Sequence, residues 1–121
     1  MTTPERFFSG KPLSKKLYET IRREVEALGP VGIRVSKSQI AFRRGSNFAL
    51  VWMPDQYLKG QTAPLVLTLS LPSQDSSPRW KEIVEPAPGR FTHHLELYET
   101  ADIDEEVREW LRQAWQEAGG F

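Results

Sequence analysis

His93 and His94 are the only histidines in the 121-residue chain, and they stand side by side in Phe91-Thr92-His93-His94-Leu95-Glu96-Leu97-Tyr98. In a β-strand, neighbours point to opposite faces. His93 then shares a side with Phe91, Leu95 and Leu97, where one or two hydrogen bonds satisfy a neutral imidazole, and its expected role is structural. His94 joins Thr92, Glu96 and Tyr98 in a polar row able to meet a ligand. As a general base beside Lys37 or Arg43, His94 could run proton-transfer chemistry, as could His93 if the strand is phased the other way. His94 and Glu96 could offer two metal ligands, but with no third histidine and no carboxylate at a recognisable spacing, no metal or cofactor is expected.

Cations supply the second kind of chemistry. Lys37, Arg43 and Arg44 surround a turn region, and Arg79-Trp80-Lys81 sets a ring between two positive charges. Cations that neutralise phosphate beside a ring that stacks on a base suit a nucleotide or single-stranded nucleic acid. The competing reading is ordinary solvated charge, with Trp80 folded down onto the sheet. With 16 basic and 16 acidic residues the chain carries no net charge and makes a poor nonspecific DNA binder. The charge is uneven, however. Residues 30–95 hold eight basic and four acidic side chains, and residues 96–121 hold two and eight. No phosphate-cradling Gly-x-x-x-x-Gly-Lys loop, Gly-x-Ser-x-Gly elbow or His-Glu-x-x-His helix is present.

The elements that must position these residues follow from periodicity. Lys11-Pro12 precedes Leu13, Leu17, Ile21, Val25 and Leu28, a helical stripe stopped by Gly29-Pro30. Val31, Ile33 and Val35 alternate with Gly32, Arg34 and Ser36, then Ile40 and Phe42 mark a second strand, and Phe48 to Met53 a third. Leu65, Leu67, Leu69 and Leu71 alternate with Val66, Thr68 and Ser70 in a fourth, and the histidine segment is the fifth. Asp102-Ile103-Asp104-Glu105 opens a last helix with Ile103, Val107, Trp110, Leu111 and Ala114 on one face. Residues 72–90 form a long connection, in which Ser77 to Val84 is expected to make a helical turn or two. Residues 1–11 are expected to be a flexible arm.

The order α-β-β-β-β-β-α predicts an α+β domain spanning residues 1–121, an antiparallel sheet of about five strands with both terminal helices on one face. The open face would show Arg34, Gln39, Arg43, Thr68, Ser70, Thr92, His94, Glu96 and Tyr98. The predicted core contains Leu17, Ile21, Ile33, Phe42, Leu67, Leu95, Val107 and Leu111. There is no cysteine, no apolar signal-peptide core near Met1, and no apolar run longer than Phe48 to Met53, so a cytoplasmic protein with no membrane segment is expected.

Ser36-Lys37-Ser38-Gln39-Ile40-Ala41-Phe42-Arg43-Arg44, Phe48-Ala49, Pro88-Gly89-Arg90-Phe91-Thr92-His93-His94, and Asp102-Ile103-Asp104 with Glu106, Val107, Trp110, Leu111 and Ala114 together resemble the bacterial family called domain of unknown function 5655. The resemblance covers about residues 13–118. It sets Lys37, Thr92 and His93 together as a recurring combination, and implies a small cytoplasmic domain with no established activity.

Three functional classes follow from these residues. The leading one is a binding or accessory domain holding an anionic small molecule or nucleic-acid segment with Lys37, Arg43, Arg44, Arg79, Trp80, Lys81 and His94. The second is a protein-interaction or homodimerisation module burying Trp52, Trp80 or Trp115 against a copy of itself or a partner protein. The third is the small enzyme with a strand histidine as general base.

Overall fold

Pro12 occupies the first turn of α2 (Pro12–Glu26), where its missing N–H is no loss, and Leu17, Ile21 and Val25 then recur at helical spacing and are buried. Leu13, at the start of that stripe, is 46% exposed, while Ser14 and Tyr18 turn inward instead. At the other end of the chain Asp104 caps α3 (Glu105–Ala118), its carboxylate accepting from the Val107 N–H at 3.1 Å. Val107, Trp110, Leu111 and Ala114 form the buried stripe of this helix. The computed structural model describes residues 2–119.

Between the helices lies one antiparallel sheet of six strands: β1 (Gly32–Val35), β2 (Ile40–Arg44), β3 (Ser46–Trp52), β4 (Leu65–Leu71), β5 (Glu82–Ala87) and β6 (Arg90–Leu97). Their spatial order is β1-β2-β3-β4-β6-β5. Alternation sends Phe42, Val51, Leu67, Leu69, Leu95 and His93 to one side, where they join the buried faces of α2 and α3 in a single core. Tyr18 of α2 stacks on Phe42 of β2 with ring centroids 6.1 Å apart. Seven of the eight expected core residues are buried, and Ile33, on the edge strand β1, is half-buried. The result is the α+β architecture that the element order predicts, with one more strand.

That extra strand corrects the reading of residues 77–84. Glu82–Ala87 pairs with β6, placing Glu82 opposite His94, Ile83 opposite His93 and Val84 opposite Thr92. Ile83 and Val84 are β-branched, and Pro86 would break a helix here but is tolerated on a sheet edge. Pro88-Gly89 makes the turn into β6, with Gly89 at a φ of 77° that favours glycine. The N-terminal residues are a second correction. Pro4–Phe7 forms a short helical turn, α1, and Phe7 and Phe8 pack into the core, Phe8 lying 5.4 Å from the Tyr18 ring. Two consecutive phenylalanines bury more apolar surface than a free arm would leave exposed, which is why the segment docks.

Gly29, in the turn after α2, has a φ of 148°, and a Cβ built on it would stand 2.7 Å from Trp115 Cζ2. The Trp115 indole donates to the Pro30 carbonyl at 3.1 Å, so the end of α3 is pinned to the α2-β1 turn. Gly29→Ala should therefore combine strain with a clash and destabilise the protein by about 1 kcal/mol or more. The check is the urea midpoint, which should drop with an unchanged slope.

Candidate functional site on the open sheet face

Helices cover one face of the sheet and leave the other open. Register aligns Thr68 with Leu50 on one side and with His94 on the other, and His94 in turn with Glu82. The next row out pairs Trp52 with Val66 and Val66 with Glu96. These alignments bring three polar groups together. The Trp52 Nε1–H donates to Thr68 Oγ1 at 2.9 Å, and Thr68 Oγ1 lies 2.8 Å from His94 Nδ1. Besides accepting from the indole, the Thr68 oxygen can either donate its proton to Nδ1 or accept from it. His94 Nε2 meets no side chain among the described residues and is the ring nitrogen open to a ligand.

A hollow of about 220 Å³ lies over this relay, bounded by Ser38, Gln39, Leu50, Trp52, Tyr57, Thr68, Thr92 and His94. Tyr57 comes from the loop after β3 and meets Trp52 edge-on at 6.1 Å, giving the hollow an aromatic wall. A second hollow of about 190 Å³ shares Leu50, Thr68 and Thr92 with the first and continues to Asn47, Ser70 and Arg90. The two form one groove running along the strands. On β2, outside the lining of both hollows, a register shift between Phe42 and Arg43 places Arg43 opposite Asn47, while Phe48 and Ala49 both stay in the core. Arg43 donates to the Gly45 carbonyl at 3.3 Å, and Arg90 has no side-chain partner among the described residues.

The expected site residues are distributed between the faces. His94, Arg43 and Lys37 are on or beside the open face, Lys37 exposed in the β1-β2 turn next to Ser38. Lys81 enters β5, its backbone N–H donating to the His94 carbonyl at 2.8 Å and its side chain exposed. Arg44 lies instead over the Trp115 ring at 3.6 Å and donates to the Trp115 carbonyl. Arg79 pairs with Asp104 and Glu106 at 3.0 and 2.9 Å and donates to the Asp102 carbonyl. Trp80 is 9% exposed beneath α3, 4.2 Å from the Trp110 ring, so the Arg79-Trp80-Lys81 triplet does not present its ring and both cations to one ligand.

His93 is fully buried on the helix side, 4.8 Å from Trp80. Its Nε2 accepts the Asp75 N–H at 3.0 Å and its Nδ1–H donates to the Phe91 carbonyl at 3.1 Å. The Asp75 carboxylate accepts from the Trp80 indole at 2.9 Å and the Ser77 N–H at 3.0 Å. Burial works to raise the Asp75 pKa, but the donors from Trp80 and Ser77 bring it below the ordinary carboxylate value. The connection after β4 is thus latched to the sheet through His93.

Burial lowers the pKa of both histidines, against the Phe91 carbonyl and Asp75 at His93 and against Glu82 at His94. An unfolded chain, with histidines near their ordinary 6.5, binds more protons than the folded one once the pH drops below that value. Stability should therefore be full above about pH 6.5 and decline as the pH falls through 6 and 5. Thermal melts across that range check it, and His93→Gln should flatten the decline.

Trp52, named from sequence only for the interaction module, lies at the aromatic end, and the residues missed by sequence reasoning are Tyr57 and Ser38 beside it and Asn47 and Arg90 at the other end. Only alternation in β3, which sets Leu50 and Trp52 against Ala49 and Val51, carried a signal for Trp52. Among the described residues no cluster of histidine and carboxylate side chains is placed to hold a metal ion, and no helix is long and apolar enough to cross a membrane.

Fold and site together define a small α+β domain with one helix-covered sheet face and one face bearing a shallow aromatic and polar groove. The chain belongs to the family described as Domain of unknown function (DUF5655), whose family model matches residues 5–118. Searches of curated proteins and of solved structures found no match. Of the three residues that the family resemblance joins, Thr92 lines the groove, Lys37 flanks it, and His93 serves the opposite face.

Proposed function

We propose that this protein is a binding domain that holds a small anionic ligand in the groove of its open sheet face. The observation that carries this reading is the Trp52-Thr68-His94 relay, which holds two rings in place and leaves the His94 Nε2 open before any ligand arrives. A preformed polar set loses little freedom on binding, so even a shallow groove can select. The lowered His94 pKa keeps the imidazole neutral near pH 7, leaving the positive charge to Arg43, Arg90 and Lys37. Each hollow is small alone, and together they fall near the lower end of the roughly 300–1,000 Å³ common for ligand sites.

The test is an amide-resonance titration with sugar phosphates, dicarboxylates and nucleoside monophosphates at low and moderate salt. At least one of these classes should shift Leu50, Thr68, Thr92 and His94, with binding that weakens as salt rises. Shifts confined to other parts of the chain, or none at all, would overturn the reading.

A further inference from the structure

We infer that the ligand of this groove is a nucleoside monophosphate, its base at the Trp52 and Tyr57 end and its phosphate at the Arg90 end. This inference rests on the binding reading above and deepens it. The groove is chemically polarised along its length. One end has an aromatic wall and the unpaired Nε2 of His94, which suits a flat heterocycle bearing ring donors and acceptors. The other end is lined by Asn47, Ser70 and Arg90, which suits a phosphate.

Length and charge limit the ligand to one nucleotide. His94 and Arg90 are four residues apart on β6, a separation of about 13 Å at strand rise. That distance accommodates a base, a sugar and a phosphate in sequence. A polynucleotide would add its next phosphate at the sugar, over the middle of the groove, where the lining is Leu50, Thr68 and Thr92. Those side chains carry no positive charge, whereas a continuous cationic track is what strand binders require.

The experiment compares the four common ribonucleoside monophosphates with their nucleosides, with ribose 5-phosphate, with inorganic phosphate and with a ten-residue single strand, by calorimetry and amide shifts. At least one monophosphate should bind tenfold or more tightly than its nucleoside and than ribose 5-phosphate. Arg90→Ala, checked for a native circular-dichroism spectrum, should weaken that monophosphate about tenfold and leave the nucleoside unchanged. Ribose 5-phosphate binding as well as the monophosphates would overturn the inference, because the base would then contribute nothing. Tighter binding of the ten-residue strand would overturn it in favour of a nucleic-acid surface. If only sugar phosphates or dicarboxylates shift the groove, the inference falls while the binding reading stands; if no anion does, both fall.

Discussion

Replacing Trp80 by alanine should lower the free energy of unfolding by about 3–5 kcal/mol. The indole fills the space between the sheet and α3, 4.2 Å from the Trp110 ring and 4.8 Å from His93. Its Nε1–H also donates to Asp75, so truncation removes both a large buried ring and a donor from a carboxylate that depends on it. An indole projecting into solvent to stack on a ligand would behave differently, and its loss would change stability by about 0.5 kcal/mol or less. Equilibrium unfolding in urea separates the two cases. A midpoint near that of the natural chain would contradict the buried placement of Trp80.

Leu67→Ala should cost about 2–5 kcal/mol. Leu67 lies on the central strand β4, flanked by Val51 of β3 and Leu95 of β6 on the face beneath the helices, and is fully buried. Neighbours on both sides are fixed by strand hydrogen bonds, so the cavity cannot close easily. Thr68, the next residue, points to the open face, and Thr68→Val should be much less costly to the core while releasing His94. Comparing the two midpoints reads the strand phase directly, and a larger loss at Thr68 would invert the assignment of faces.

The phase of β6 was legible from sequence because Leu95 and Leu97 alternate with His94 and Glu96, a local pattern that burial enforces. β5 was not legible. Its Ile83-Val84 pair sits among Glu82, Glu85, Pro86 and Pro88 and carries no alternation, since an edge strand buries little on either face. The charged triplet at Arg79 misled for a related reason: sequence proximity of a ring and two cations says nothing about their directions, and Trp80 turns inward while Arg79 reaches the first turn of α3. The relay of Trp52, Thr68 and His94 draws on three strands, and its assembly depends on the β3-β4 and β4-β6 registers. Register is set by the packed face, so no local pattern on the polar face announces it.

The indole N–H resonances of the four tryptophans offer the most direct measurement of the central claim, because only Trp52 belongs to the open-face groove. Trp80 and Trp110 lie under or within the helix layer, and Trp115 is pinned to Pro30. Titrating nucleoside monophosphates at low salt should shift the Trp52 indole signal in a saturable way and leave the other three in place. Saturable movement of Trp80, Trp110 or Trp115 with Trp52 unmoved would contradict the account and put the binding surface elsewhere.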